Sequence, residues 1–251
     1  MADEERTMLT AVFSDVHGNL EALEAALRDA RAHGAERFVC LGDVVGYGAD
    51  PNACCERVRA TGAAVVRGNH DHACSYRVSL DWFNPLAAAA VRWTRLRLSA
   101  ENREWLRGLP WTETLDDRTQ AVHGGLQDPR HWPYLFEGRD AGPHFAKQSA
   151  PLCFVGHTHV PVVFAQMGGN LFEAPLGPFH VEPAEGVKAV VNVGSVGQPR
   201  DGNPKACYVL YDPATGAVAP RRVEYDIESA ARKILEAGLP KQLALRLFLG
   251  R

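Results

Sequence analysis

Cysteine chemistry has little place in this sequence. Only six of the 251 residues are cysteine, no two of them form a CxxC pair, and Cys40, Cys153 and Cys207 lie inside apolar runs. A free thiol in such a run behaves as a small core side chain. The spacing therefore argues against a thiolate metal site and against a disulfide framework.

An excess of basic charge is also lacking. The chain has 27 Lys and Arg residues against 30 Asp and Glu residues, which gives a net charge of -3. Such a balance is not that of a general nucleic-acid binder or of a basic membrane-surface protein. We therefore expect the partner of this protein to be recognised at a local site.

Long apolar runs are absent as well. The apolar stretch at residues 86–91 is far shorter than the roughly 18 consecutive apolar residues typical of a membrane span. The first ten residues carry Asp3, Glu4 and Glu5, where a secretory signal would carry positive charge and then an apolar run. These absences predict a cytoplasmic protein without a membrane partner.

What is present is an ordinary globular composition, with 46% hydrophobic and 23% charged residues. The first third alternates short apolar runs with helical periodicity, which predicts a βαβαβ beginning and a parallel sheet. The predicted strands there span residues 9–13, 37–41 and 63–66, and the predicted helices span residues 20–32 and 52–60.

The remaining two thirds change in texture. Residues 86–109 are predicted to be helical, with Ser99 as an N-cap inside that stretch. Short strands separated by Gly/Pro-rich turns follow, at residues 112–115, 119–122, 152–155, 162–165, 188–193, 207–211 and 218–223. Two short helices are predicted at about residues 227–249. With no internal repeat and no low-complexity linker, we predict one α/β domain over residues 1–251, with the C-terminal helices packed on it.

Residues suited to metal binding follow five of the predicted strands directly. Ligands of open α/β sheets bind at the carboxyl ends of the strands. Side chains at i and i+2 of an extended segment point the same way, so Asp15 with His17, and His157 with His159, can each approach one ion. The segments are DVHGN at 15–19, GD at 42–43, GNHD at 68–71, HG at 123–124 and GHTH at 156–159.

This set of side chains predicts a reaction as well as a site. Asp43 can bridge two ions, Asn69 offers an amide oxygen and His123 offers a ring nitrogen. Two divalent ions outweigh the charge of the two carboxylates, so the site attracts an anion. Two such ions lower the pKa of a shared water and clamp phosphoryl oxygens, which indicates phosphoester hydrolysis. The nitrogen and oxygen ligands suit manganese, iron, zinc, cobalt or nickel alike.

Simpler interpretations exist for each residue. Asp15 alone could cap the following helix, although Asn19 is better placed for that role. Asp43 could be the ribose-binding acid of a dinucleotide fold, but the turn at residues 14–19 lacks the required GxGxxG. His157 and His159 could be ordinary strand histidines. Five of the ten histidines fall in these motifs, which favours the metal site.

In their order along the chain, DVHGN, GDVVGYG, GNHD, His123-Gly124 and GHTH resemble the motifs of the calcineurin-like metallophosphoesterase superfamily, and the NVGSVGQPR segment at residues 192–200 extends the match. The resemblance implies a four-layer α/β/β/α sandwich. It implies His70 as the group that stabilises the transition state or protonates the leaving oxygen. It also implies two metals, the first held by Asp15, His17, Asp43 and His159, and the second by Asp43, Asn69, His123 and His157.

The sequence departs from one branch of that family. Protein serine/threonine phosphatases carry GDxxDRG, and Gly46-Tyr47 stands here in place of the Asp-Arg pair. The acid that would orient His70 and a phosphate-gripping arginine are thus missing. The chain is closer to the smaller bacterial phosphoesterases, which act on phosphodiesters or small phosphorylated molecules. We predict a phosphodiesterase for small or nucleotide-like substrates, with a protein phosphatase and a non-catalytic scaffold as alternatives.

Several residues outside the motifs have two interpretations. Arg200, Arg67 or Arg130 can replace the missing arginine, since a guanidinium suits phosphate, but Arg200 can instead pair with Asp201 at the surface. His144 and His180 lie in Gly/Pro-rich stretches and are expected to be solvated. Trp82, Phe83, Trp132 and Tyr134 are expected to be packing residues, or else an aromatic surface for a nucleobase.

Overall fold

The computed structural model describes residues 8–181 and 186–251; the acidic residues Asp3, Glu4 and Glu5 lie outside this part of the chain. Its strands form two six-stranded sheets. The first sheet has the order β3-β2-β1-β11-β12-β9, with β1, β2 and β3 parallel and β11 antiparallel to β1. Its strands are β1 (Thr10–Phe13), β2 (Arg37–Cys40), β3 (Ala64–Val65), β9 (Phe179–His180), β11 (Ala206–Asp212) and β12 (Ala217–Val223).

The second sheet has the order β4-β5-β6-β10-β7-β8. Strands β5, β6 and β10 are parallel, and β4, β7 and β8 complete the sheet in antiparallel pairs. Its strands are β4 (Thr112–Asp116), β5 (Thr119–Val122), β6 (Leu152–Val155), β7 (Val162–Met167), β8 (Asn170–Pro175) and β10 (Val187–Asn192).

Helices cover the outer faces of both sheets. Their N-termini follow capping rules: the Asn19 side chain accepts from the Ala22 N–H at 3.1 Å, and the Ser99 hydroxyl accepts from the Asn102 N–H at 3.1 Å. The helices are α1 (Leu20–Ala32), α2 (Pro51–Arg59), α3 (Asn69–Ser75), α4 (Pro85–Arg95), α5 (Ala100–Gly108), α6 (Gly138–Phe145), α7 (Ile227–Glu236) and α8 (Lys241–Leu249).

The buried apolar residues define the layers. One cluster lies between the sheets and includes Val12, Phe154 and Val209. A second cluster packs α1 and α2 on the outer face of the first sheet, and a third packs α6, through Phe145, on the outer face of the second. Because each sheet is apolar on both faces, each must be covered on both sides. The predicted four-layer α/β/β/α sandwich is confirmed.

The secondary structure differs from the sequence-based expectation in five places. The helical stretch at residues 86–109 is two helices, α4 and α5, with the second helix starting after Ser99. Helices α3 and α6 and strands β8 and β9 were not predicted. His144 lies in α6 with no exposed surface, so its expected solvation is wrong. No helix in the described ranges is long and apolar enough to cross a membrane.

Candidate metal centre

The loops after β1, β2, β5 and β6 and the start of α3 bring the predicted ligands together. Candidate ligand atoms form three groups, and within each group they lie within 4.8 Å of one another. His17 belongs to the first and second groups, and Asp43 belongs to the second and third. All of these side chains are buried between the two sheets. The groups are Asp15 with His17 and His159, then His17 with Asp43 and His70, then Asp43 with His123 and His157.

The backbone that presents these side chains is not extended. Seven non-glycine residues of the described chain have positive φ, and five of them are predicted ligands. The side chains of each pair, Asp15 with His17 and His157 with His159, therefore converge because both residues of the pair have left-handed backbone conformation. They do not converge because the segment continues the strand. Such conformations cost of order 1–3 kcal/mol each and occur at functional sites. The φ values are 54° for Asp15, 51° for His17, 52° for Asp43, 69° for His157 and 63° for His159.

The two carboxylates each face several imidazoles with one oxygen. Asp15 Oδ1 lies 3.1 Å from His159 Nε2 and 3.7 Å from His17 Nε2. Asp43 Oδ2 lies 3.4 Å from His123 Nε2 and 3.6 Å from His17 Nε2. The other oxygens accept backbone N–H groups, that of His157 for Asp15 and that of His70 for Asp43. Both carboxylates are thus held rigidly with one oxygen directed at the centre.

Backbone carbonyls orient three of the rings. The Nδ1 atoms of His17, His123 and His159 lie 3.1, 2.7 and 2.6 Å from the carbonyl oxygens of Val45, Leu41 and Gln198. An N–H donated at Nδ1 leaves the Nε2 lone pair free toward the centre, which is the arrangement of metal-binding histidines.

Several atoms in the centre need a cation as partner. Asp15 Oδ1, Asn69 Oδ1 and His123 Nε2 are buried without a hydrogen bond among the described residues. The Nε2 atoms of His17 and His159 lie 3.1 Å apart, where two lone pairs would repel each other. An unpaired buried polar group costs free energy, and a cation between these atoms removes that cost. The donor set therefore fits divalent metal ions.

Charge coupling within the centre keeps the Asp43 carboxylate ionised. Burial alone would raise the pKa of Asp43, but the nearby imidazoles of His123 and His70 hold it well below its ordinary value. Burial alone would lower the pKa of His123, but the Asp43 carboxylate raises it to about 9, so this ring would release a proton on binding a cation at Nε2. The carboxylate is therefore an anion throughout the neutral range and is ready to bind a cation.

His70 is fixed by packing instead of by an acid. A Cβ atom at Gly46, whose φ is +97°, would overlap His70 Nδ1, so the glycine makes room for the ring. The rings of Tyr47, Phe83 and His17 surround it at centroid distances of 4.5, 5.0 and 4.8 Å. Burial lowers the pKa of His70 well below its ordinary value, which keeps the imidazole neutral at pH 7.

Asp71 was assigned no role from the sequence, and Tyr134 was named only as a packing residue or as part of an aromatic surface. Asp71 accepts the N–H groups of Val45 and Gly68 at 3.2 and 3.1 Å and so ties two motif loops together. Burial and the charge of Asp43 raise the pKa of Asp71 to about 7. Tyr134 stacks on His157 with ring centroids 4.0 Å apart. The position of Asp71 in the GNHD motif could have indicated its role. The sequence around Tyr134 carries no motif.

Arg200 lies at the edge of the centre. Its guanidinium donates to Gln198 Oε1 at 3.0 Å and to the Tyr47 hydroxyl at 3.4 Å. Burial, and then the positive charge of Arg200, lower the pKa of His159 to about 4. Asp201 pairs with Arg222 instead of with Arg200. The guanidinium is therefore not neutralised by that surface acid.

Arg67 occupies a different environment. Its Nη2 atom donates to the carbonyl oxygens of Arg107 and, at 2.6 Å, Leu109. The guanidinium lies over the Trp111 ring, 4.5 Å from the centroid, and Arg130 approaches the same ring at 5.8 Å. The structure thus places Arg200, and not Arg67, against side chains of the centre.

The segment after β10 supports the first loop. The N–H of Gly197 donates to the Asp15 carbonyl at 2.9 Å, and the Ser195 hydroxyl donates to the same oxygen at 2.9 Å. A Cβ atom at Gly197 would overlap the Val16 carbonyl oxygen. The absence of a side chain at Gly197 therefore lets this segment pack against the Asp15 loop.

Known proteins are similar to this chain in fold and in sequence. A protein of Methanocaldococcus jannaschii described as uncharacterised is 40% identical over 97% of this chain and 98% of its own. The crystal structure of a metallophosphoesterase from Sphaerobacter thermophilus superimposes with a TM-score of 0.86, at 39% identity, over 98% of this chain and 100% of that one.

Two further comparisons are more distant. A hypothetical protein of Pyrococcus horikoshii OT3 shares the fold with a TM-score of 0.77 at 22% identity, over 97% of this chain and 99% of that one. Phosphodiesterase YfcE of Escherichia coli is 28% identical over 79% of this chain and 84% of its own. The family model described as calcineurin-like phosphoesterase superfamily domain matches residues 8–216. The chain belongs to the calcineurin-like phosphoesterase superfamily.

Proposed function

We propose that this protein is a two-metal phosphodiesterase acting on small, nucleotide-like phosphodiesters. The observation that carries the proposal is the convergence of two carboxylates and five imidazoles on a buried, shared centre. The Escherichia coli relative named a phosphodiesterase supports the choice of reaction.

The proposed ligands divide between two ions. Asp15, His17, Asp43 and His159 bind the first ion, and Asp43, Asn69, His123 and His157 bind the second. Divalent cations in such a pair supply Lewis acidity, which polarises phosphoryl oxygens and lowers the pKa of a water. Manganese, iron, zinc, cobalt and nickel all suit these nitrogen and oxygen donors.

The remaining groups of the centre act on the substrate. A neutral His70 donates a hydrogen bond to the leaving oxygen and stabilises the charge that develops there. Arg200 grips the non-bridging phosphate oxygens, because a guanidinium and a phosphate match in charge and geometry. Arg67 stays a weaker candidate, since main-chain carbonyls already accept from its Nη2 atom.

The C-terminal helices belong to the same unit in this proposal. Residues of α7 and α8 form one buried cluster with Tyr47, whose ring contacts His70 and His17. Burial of Arg246, on α8, and the nearby charge of Arg200 both lower its pKa. The segment beyond residue 216 therefore supports the rim of the centre from outside the family match.

The protein phosphatase alternative is not favoured. In that branch an acid orients the histidine, whereas here the corresponding position is Gly46, and the His70 ring fills the space beside it. The scaffold alternative is not favoured either, because every implied ligand is present and buried.

The test is a comparison of three substrates. Manganese-loaded protein is assayed with a chromogenic phosphodiester, the matching monoester and a phosphopeptide, and Asp43→Asn serves as the control for contaminating activity. The proposal predicts the largest kcat/KM for the diester. A preference for the phosphopeptide would make the protein a phosphatase, and metal binding without any hydrolysis would make it a scaffold.

A further inference from the structure

An aromatic cavity lies beside the proposed metal centre. It has a volume of about 330 Å³ and is lined by His72, Val78, Trp82, His131 and Trp132. The lining contains no Asp, Glu, Lys or Arg. Cavities of this size and apolar character are typical of small-molecule subsites, and a neutral, flat group suits this one best.

Two indole rings give the cavity its shape. Trp82 and Trp132 are nearly parallel, with an interplanar angle of 14° and centroids 6.0 Å apart. Trp132 is buried, but Trp82 is 54% exposed. The Nε1 atom of Trp82 donates to the Ser79 carbonyl at 3.1 Å, so the ring is held in place with accessible surface. An exposed, oriented indole is a stacking platform for another aromatic ring.

The platform is joined to the centre through ring contacts. Trp82 stacks on Phe83 at 4.0 Å, and Phe83 meets the edge of His70 at 5.0 Å. On the other side, the Trp132 main chain packs against Gly124, where a Cβ atom would meet Trp132 Cα at 2.9 Å. Gly124 directly follows the proposed ligand His123. Both walls of the cavity are therefore fixed relative to His70 and His123.

We propose that this cavity is a subsite for the nucleobase of a nucleotide substrate. The inference rests on the proposed function, because it takes the phosphate to bind at the metal centre. The ribose then spans the ring contacts between His70 and Trp82, and the base stacks on Trp82. A bare phosphosugar fits less well, since the only polar side chains in the lining are the imidazoles of His72 and His131.

The experiment compares two diesters with the same leaving group. One is the p-nitrophenyl ester of thymidine 5'-phosphate, and the other is methyl p-nitrophenyl phosphate. With manganese-loaded protein, we expect Trp82→Ala to lower kcat/KM for the nucleoside ester about 5- to 100-fold, the usual effect of losing one base-aromatic stack. The methyl ester should be hydrolysed as by wild type.

Two further variants act as controls. Trp82→Phe retains a ring and should recover most of the activity on the nucleoside ester. Phe172→Ala removes an aromatic ring of similar exposure, 49%, from β8. It should leave kcat/KM for both esters at the wild-type value. Equal losses on both esters in Trp82→Ala, or no loss on either, would overturn the subsite.

A binding measurement separates this inference from the proposed function. Adenosine, which has no phosphate, should quench tryptophan fluorescence of the wild type at concentrations where ribose has no effect, and Trp82→Ala should lose that quenching. Quenching without hydrolysis of either ester would retain the subsite and reject the phosphodiesterase. Hydrolysis of both esters without quenching by adenosine would reject the subsite and retain the enzyme.

Discussion

The two sheets contribute different chemistry to one centre. Loops of the first sheet supply both carboxylates, Asp15 and Asp43, whereas loops of the second supply three imidazoles. Asp43 raises the pKa of His123 to about 9, while burial lowers the pKa of His157 to about 3 and that of His159 to about 4. The two carboxylates of the centre thus come from the first sheet only, and in the proposed centre a cation would bind residues of both sheets.

Hydrogen bonds hold the two halves in register. Asn19 Nδ2 donates to the Gly197 carbonyl at 2.9 Å, and the His157 N–H donates to Asp15 Oδ2 at 3.0 Å. The His123 ring contacts the carbonyl of Leu41, at the end of β2. These contacts fix the loops of both sheets that carry the proposed ligands, which limits the cost of assembling the centre.

Replacing the shared carboxylate should have the largest effect. Asp43→Asn removes one of the two negative charges supplied by the first sheet and the proposed bridge between the ions. We expect activity to fall to the assay background and metal content to fall with it. Elemental analysis beside the kinetic assay checks this, and full metal occupancy in the variant would reject Asp43 as a ligand.

The next largest effect should come from removing His70, which is proposed to contact the substrate and not the metal ions. His70→Ala keeps both carboxylates and all three imidazoles of the second sheet. We expect kcat to fall about 10²- to 10⁴-fold, the range for a lost acid, base or donor, with metal content near that of wild type. Loss of metal in parallel with activity would instead make His70 a ligand.

Gly46→Ala tests how His70 is oriented. The added Cβ atom would overlap the ring, so the histidine must move although its chemistry is intact. We expect a loss of kcat smaller than that of His70→Ala, again with metal retained. Unchanged kcat would show that the ring position does not depend on this glycine.

Arg200→Ala tests whether a positive charge other than that of the metal ions contributes to phosphate binding. Arg200→Ala should leave metal content and stability nearly unchanged and lower kcat/KM at least tenfold, since one charge-assisted contact contributes roughly 1.5 to 3 kcal/mol. The matched control is Arg222→Ala, which removes the arginine paired with Asp201. Wild-type kcat/KM in Arg200→Ala would leave phosphate binding to the ions and His70.

The smallest effect concerns His144, a buried histidine of α6 on the outer face of the second sheet. Burial lowers the pKa of His144 to about 4, below its unfolded value of about 6.5. Its neutral form therefore stabilises the fold fully above pH 6.5, and this contribution is lost as the pH falls toward 4.

We expect the free energy of unfolding of the wild type to fall by about 1 kcal/mol more than that of His144→Gln between pH 7 and pH 5.5. Denaturant titrations of both proteins in the same metal state measure this difference. Equal losses in the two proteins would show that His144 does not contribute to acid sensitivity.

Most of the fold follows from apolar patterning. The strand at residues 119–122 and the helix at residues 20–32 agree with the structure to the residue. The helix buries one apolar face, and the strand buries three of its four residues. Strand β8 was missed because all six of its residues are exposed, which leaves no alternation. Helix α6 was missed because it contains two glycines and Pro143, and α3 because its polar residues serve the centre.

The site was predicted for reasons that the structure only partly supports. Motif order placed the proposed ligands directly after strands, and the structure brings them together there. The local geometry differs, because left-handed backbone at Asp15 and His17 replaces the extended segment that was assumed. Sequence periodicity carries no signal for such φ values. The packing of Tyr47 and Phe83 on His70 was also not predictable, since it depends on contacts between distant loops.

The central claim is that the two sheets together hold two cations. The metal-to-protein ratio of manganese-loaded wild type, measured by elemental analysis after removal of free metal, tests it most directly. We predict two ions per chain in the wild type. One ion or none per chain under saturating metal would contradict a centre shared between two ions.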